Sequence, residues 1–126
     1  MKRALLCVAV CLIICSQACK SLLNPDEPAK PEANVVVIEG PIFEDGYTLF
    51  FVKGRVENSG NAAAKFSKIT IYIRNSSSGL IAQDWTYVDD TDLQPNETSP
   101  FDVLFSDDNH SIRDKMDFSK TTWEIK

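Results

Sequence analysis

The chain has 126 residues, with 13 Lys and Arg against 18 Asp and Glu, a net charge of −5 and four cysteines. That length fits one domain able to bury its own core without staples. The acidic balance repels phosphate backbones, so no nucleic-acid partner is expected. The chain opens on Met1-Lys2-Arg3, followed by eleven apolar residues from Ala4 to Ile14 and then Ser16, Gln17 and Ala18. A basic end, an apolar middle and small residues behind it form the order of an export signal. A spanning helix needs about 20 apolar residues. The expectation is therefore a signal over residues 1–18 that is cleaved, rather than a permanent anchor.

All four cysteines, Cys7, Cys11, Cys15 and Cys19, lie in this opening stretch. Ala18-Cys19 resembles the lipobox of bacterial lipoproteins, in which a small residue precedes a cysteine that is diacylated and becomes the new first residue. Ser16 stands where that family favours Leu. Cys15 is the rival, with Leu12 three residues ahead but bulky Ile14 directly before it. The resemblance implies a lipid on Cys19 that holds the chain at an envelope membrane, each buried methylene contributing about 0.8 kcal/mol. The four-residue cysteine spacing lacks the short CxxC pattern of metal sites, and cysteine otherwise behaves as a small hydrophobe. Cleavage before Cys19 leaves about 108 residues with 11 cations and 18 acids, a net charge of −7. It also leaves no thiol free to form a disulfide.

Residues 19–33 hold Pro25, Pro28 and Pro31 among charges. Such a stretch favours an extended, solvated tether, reaching roughly 40 Å at about 3.1 Å per residue. From residue 34 to 126 the pattern is β. Asn34–Glu39 is β-branched and is expected to end at Gly40-Pro41. Tyr47–Asn58 alternates, with Phe50, Val52, Gly54 and Val56 on one face. Ser67–Asn75 alternates with Ile69, Ile71 and Ile73 inward and Lys68, Thr70, Tyr72 and Arg74 outward. Leu80–Val88 is less regular, with Ile81, Trp85 and Tyr87 on one side. Phe101–Phe105 and Thr121–Ile125 complete the set, and Ser111–Phe118 is expected to form one helical turn. Short strands separated by Asn, Ser, Asp and Gly clusters predict an all-β sandwich of about six to seven strands.

Gly54-x-Val56-x-Asn58-x-Gly60, then Tyr72, Gly79, Leu93-x-Pro95, Thr98 and Phe101 resemble the FxLYD domain. The resemblance implies an immunoglobulin-like β-sandwich of the kind found in bacterial envelope proteins. The family's namesake stretch differs here: Arg74 stands where an aromatic is favoured and Asn75 where Asp is. The residues also read on their own terms. Gly54 leaves room for a neighbouring side chain to cross the sheet. Asn58 and Gly60 suit a turn needing positive φ. Leu93-x-Pro95 would plug one end of the sandwich.

Little in this pattern carries chemistry. His110 is the only histidine and sits in the polar run Ser106–Ser111, without the oriented partner a catalytic base needs. Phosphate loops, paired-histidine motifs and EF-hand calcium loops are absent, so no enzyme activity and no cofactor are expected. The alternative is a calcium-dependent or enzymatic module built on the acidic loops, Asp89, Asp90 and Asp92 or Asp107, Asp108 and Asn109. Calcium needs six to eight oxygens, and an up-and-down strand order puts these loops at opposite ends, with Glu44 and Asp45 beside the second. Three Asn-x-Ser/Thr triplets, at Asn75, Asn96 and Asn109, read as turn sequence. Tyr72, Trp85 and Tyr87 are the candidate partner-binding residues, aromatics on strands where an envelope protein partner would find interface anchors. The competing account is that strand aromatics simply pack across their neighbours.

Overall fold

The computed structural model describes residues 30–126; the expected export signal, Cys15, Cys19 and the expected tether as far as residue 29 lie outside the described residues. Eight strands run in order: β1 (Val35–Asp45), β2 (Leu49–Asn58), β3 (Ala64–Lys65), β4 (Lys68–Arg74), β5 (Leu80–Tyr87), β6 (Asp92–Leu93), β7 (Thr98–Ser106) and β8 (Thr122–Ile125). They form two antiparallel sheets of three strands, β1-β2-β7 and β5-β4-β8, plus the short pair β3-β6. The fold is an all-β sandwich.

The core follows from alternation. Phe50, Val52 and Val56 of β2, Ile69, Ile71 and Ile73 of β4, and Phe101, Val103 and Phe105 of β7 are all buried. Successive strand residues face opposite ways, so one apolar set in three strands fills the space between the sheets. Phe50 stacks on Phe105 at 4.9 Å with planes 5° apart. Each such aliphatic or aromatic side chain contributes about 1.5–3 kcal/mol on burial, which is why this unit needs no disulfide. Leu93 on β6 is fully buried at one end of the sandwich, the plug expected of it.

Gly54 is paired with Phe101 across β2 and β7. A Cβ on Gly54 would lie 2.6 Å from Phe101 Cζ and 2.6 Å from the Glu39 carbonyl oxygen. The glycine therefore lets the Phe101 ring cross the sheet, as its place in the sequence implies.

Three expectations are corrected. The first strand does not stop at Gly40-Pro41: β1 continues to Asp45 by absorbing two register shifts, between Val37 and Glu39 and between Glu39 and Ile42. Gly40 takes φ +81° there, and an edge strand tolerates a proline with no N–H to donate. Asn58 and Gly60 do not supply a positive-φ turn. Asn58 is fully buried at the end of β2. Its Nδ2 donates to the carbonyls of Ala62 (2.7 Å) and Leu93 (2.9 Å), and its Oδ1 accepts from the N–H groups of Asn34 and Gly60, both at 3.1 Å. Gly60 is needed for close approach, since a Cβ would sit on the Glu32 carbonyl and 2.5 Å from the Asn34 nitrogen. The tether gives way to the domain before residue 33, because Glu32 donates its N–H to Asn61 Oδ1 and accepts from Asn61 N. The helical turn expected between Ser111 and Phe118 is present, closed by Met116 N–H on the Ile112 carbonyl at 2.9 Å, and a 3-10 turn, Phe118–Lys120, follows it.

Candidate functional site

The register of the β5-β4-β8 sheet decides where the candidate aromatics go. Tyr72 on β4 is opposite Gln83 on β5 and Thr122 on β8; Thr70 is opposite Trp85 and Glu124; Lys68 is opposite Tyr87. Directly opposed residues share a face. Since Ile69, Ile71 and Ile73 point into the core, Tyr72, Trp85 and Tyr87 all lie on the outer face. The structure brings the three sequence-picked aromatics to one surface. Trp85 and Tyr87 remain 48% and 46% exposed.

A fourth member joins them. Phe66 is 62% exposed and meets Tyr87 edge-on at 6.2 Å, while Tyr87 meets Trp85 edge-on at 5.5 Å. The sequence held a signal for it: Phe66 continues the outward parity of Lys68, Thr70 and Tyr72. It lies directly before the alternating run Ser67–Asn75 and so outside the strand pattern. Its backbone sits at φ +50°, a conformation that disfavours bulky L-residues, and its N–H is held by the Thr91 carbonyl at 2.9 Å.

Charges are laid among these rings. Lys68 Nζ lies 4.2 Å from the centre of the Trp85 ring, and the Arg74 guanidinium carbon 6.0 Å from that of Tyr72. The Tyr72 hydroxyl donates to Glu124 Oε2 at 3.0 Å, and Lys126 Nζ lies 3.1 Å from Glu124 Oε1. The hydrogen bond to Glu124 raises the Tyr72 phenol above its ordinary range, because the phenolate would lose that bond and face a carboxylate. Lys126 first, then Tyr72, hold the Glu124 carboxyl below its usual range. The rings and charges form a surface with apolar area and specific polar contacts.

The acidic loops follow a different logic. Asp89 donates its N–H to the Pro100 carbonyl at one end of β7, and Asp107 donates to Thr48 beyond the other end. At about 3.3 Å per residue the two loops stand roughly 20 Å or more apart. Asp45 and Asp107 do approach one another, but a guanidinium joins them: Arg113 Nη1 lies 2.9 Å from Asp45 and Arg113 Nε 3.3 Å from Asp107. Glu44 pairs instead with Lys53 at 3.0 Å. Burial works against the charged form of Asp107. Hydrogen bonds from the N–H groups of Ile112 (2.9 Å) and Arg113 (3.1 Å), together with the guanidinium, outweigh it and hold the carboxyl below its ordinary value. Among the described residues, no three His, Cys, Asp or Glu side chains converge on a point where a metal could bind. His110, with φ +57°, is exposed beside Arg113 and Tyr47. Asn75, Asn96 and Asn109 serve turns: Asn75 Oδ1 accepts from Ser77 and Gly79, Asn96 takes φ +66°, and Asn109 Oδ1 accepts from Ser111.

One side of the sandwich is open. Between edge strands β1 and β8 runs an apolar cleft lined by Val35, Val36, Val37, Trp123 and Ile125, continuing toward Ala64 and Ser67. Lys68 and Lys126 exchange both backbone hydrogen bonds. By the antiparallel alternation, the N–H and C=O groups of Trp123 and Ile125 therefore point away from β4. The spacing of Trp123 and Ile125 fits a strand but gives no sign that this strand is the edge of its sheet among the described residues.

Comparison with family models, with curated proteins and with solved structures finds no match to this chain. Among the described residues, no helix is long and apolar enough to cross a membrane.

Proposed function

We propose that this chain is a bacterial lipoprotein whose β-sandwich is a non-catalytic binding domain at the cell envelope. Residues 1–18 direct export, and Cys19, with Cys15 as the rival, carries the acyl chains. The proline-rich segment spaces the domain from the bilayer. The observation that carries the binding role is the gathering of Tyr72, Trp85 and Tyr87, with Phe66, on one outer sheet face. Phe66, Tyr87 and Trp85 form an exposed aromatic cluster at one end of the face, with half-buried Tyr72 further along it, and exposed aromatics beside charges match the anatomy of protein interfaces. Core packing leaves this cluster unexplained, because the sheet already buries its other side. The same reading keeps the kinship to the FxLYD domain. It is supported by the sandwich architecture, by the Phe101 ring over Gly54 and by the buried Leu93.

Two measurements test it. Intact mass of the membrane-extracted protein reads cleavage and acylation together; a chain that keeps its first eighteen residues, or carries no acyl groups, defeats the lipoprotein reading. For the binding role, a photo-crosslinking residue at Gln83 in living cells should capture an envelope protein. The Trp85→Ala/Tyr87→Ala double variant should lose that adduct while staying folded. An adduct of undiminished yield in the double variant would remove the aromatic face from the account.

A further inference from the structure

We infer that the aromatic face takes an acidic protein segment, lying extended along β4; this rests on the reading of that face as the binding surface. The described residues carry ten Lys and Arg against sixteen Asp and Glu, a net charge of −6. The outer face of β5-β4-β8 has the opposite sign. It presents Lys68, Arg74 and Lys126 with Glu124 as the carboxylate among them. Glu124 is already held by Tyr72 and Lys126. Asp84 belongs to the other face of β5 by register, and its Oδ1 turns back onto the N–H of Trp85.

Lys68 and Arg74 therefore stand differently from Lys53, Lys65, Arg113 and Lys126, each of which has a carboxylate within ion-pair distance. On the outer face of β1-β2-β7, Lys53 lies between Glu44 at 3.0 Å and Asp102 at 3.9 Å. Lys68 and Arg74 have no such carboxylate within ion-pair distance among the described residues; each is set over an aromatic ring instead. An exposed ring holds a cation only weakly; the Arg74 guanidinium also donates to Thr122 Oγ1 at 3.2 Å and to the Ser78 carbonyl at 3.1 Å, neutral acceptors for which a carboxylate is the stronger hydrogen-bonding partner. The acidic run Asp89–Asp92 adjoins the Phe66 and Tyr87 end of this face, since the Thr91 carbonyl holds the Phe66 N–H, and Asp92 there is paired with Lys65 at 3.6 Å.

The geometry also narrows the form of the ligand. Lys68 and Arg74 are six residues apart on one face of one strand, roughly 20 Å at about 3.3 Å per residue. An extended peptide with carboxylates six residues apart spans the same distance, with its intervening side chains over Tyr72 and Trp85. Sugar stacking fits less well. The Trp85 and Tyr87 planes differ by 78° and those of Phe66 and Tyr87 by 74°, so no flat platform forms, and Lys68 covers one face of Trp85. A bilayer fits less well too, because the rings pack edge to face along a level strand surface rather than projecting as tips that could enter the headgroup region.

The test uses the full chain in neutral detergent with Trp123→Phe, so that tryptophan emission reports Trp85. Poly-L-glutamate is the probe, with neutral dextran and vesicles of anionic phosphatidylglycerol as comparisons. Poly-L-glutamate should shift the emission saturably. Its Kd should rise about tenfold or more in Lys68→Glu/Arg74→Glu, and also between about 0.1 M and 1 M salt, where the screening length falls from roughly 10 Å to 3 Å. Lys53→Glu on the opposite face should leave it unchanged, and circular dichroism verifies that each variant is folded. Binding that ignores the Lys68 and Arg74 substitutions overturns the inference, as does a response to dextran or to vesicles alone. The crosslinked adduct separates the two levels of claim. If it survives Lys68→Glu/Arg74→Glu but not Trp85→Ala/Tyr87→Ala, the face is a binding surface and the acidic preference is wrong. If it survives both, the face itself is wrong.

Discussion

Placing one methyl group at Gly54 should damage this domain more than its size suggests. The new Cβ would lie 2.6 Å from Phe101 Cζ, 2.8 Å from Phe101 Cε1 and 2.6 Å from the Glu39 carbonyl oxygen. Carbon atoms pack at about 3.5–4.0 Å, so the overlap approaches an ångström on both sides. The Phe101 ring is fully buried and cannot swing aside freely, and the carbonyl belongs to the neighbouring strand. Overpacking costs about 1–3 kcal/mol per site, and two clashes with different partners add. The smaller unfolded-state entropy of Ala returns about 0.5–1 kcal/mol. The net expectation for Gly54→Ala is a loss of about 2–4 kcal/mol. For a domain of about 100 residues, that lowers the thermal midpoint by roughly 10–25 °C. The argument makes a sharper demand on the pair. Phe101→Ala alone should cost about 3–5 kcal/mol, but in its presence Gly54→Ala should cost about 1–2 kcal/mol less, because the ring clash has gone and only the Glu39 contact remains. Equilibrium urea unfolding of the four members of the cycle measures this coupling. Additivity to within about 0.5 kcal/mol would show that the ring does not occupy the space Gly54 leaves open.

Other outcomes follow from the same contacts. Asn58→Ala should destabilise by about 3–5 kcal/mol in urea unfolding, because it strips partners from two carbonyls and two N–H groups around a fully buried position. Asp107, whose carboxyl is held below its ordinary value, gives its full stabilisation above the usual carboxylate range near about pH 4 and loses it as pH falls through the lowered folded value. Acid titrations should therefore show Asp107→Asn less stable at neutral pH and flatter in its pH dependence below about 4. Phe66→Gly relieves a bulky residue at φ +50° and should gain up to about 1 kcal/mol in a thermal melt, while weakening the crosslink on the aromatic face. Trp85→Ala and Tyr87→Ala each remove a half-exposed ring and should cost less than about 1 kcal/mol in stability. A larger loss would mean that these rings serve packing rather than a partner.

The amino-acid order alone determined the class of fold, because a period of two leaves each strand one apolar face to hide. It placed Ile69, Ile71 and Ile73 on one side and Phe101, Val103 and Phe105 on another, and it marked Gly54 as a gap for a ring. It also raised the expectation of an export signal over residues 1–18 ahead of Cys19, which lies outside the described residues. It could not show that β1 runs on through Gly40 and Pro41, since a bulge is set by the partner strand and not by the residues that form it. Asn58 looked like turn chemistry because Asn is common in turns. Only the convergence of Asn34 and Leu93, 24 and 35 residues away along the chain, with the neighbouring Gly60 and Ala62, turned it into a buried hydrogen-bonding centre. Nor could linear spacing show that Phe66 joins Trp85 and Tyr87, or that Arg113 stands between Asp45 and Asp107. Alternation is local and written into each strand. Which strand lies beside which, and in what register, depends on contacts between distant residues, and that register set both the sign of the aromatic face and the open edge at β8.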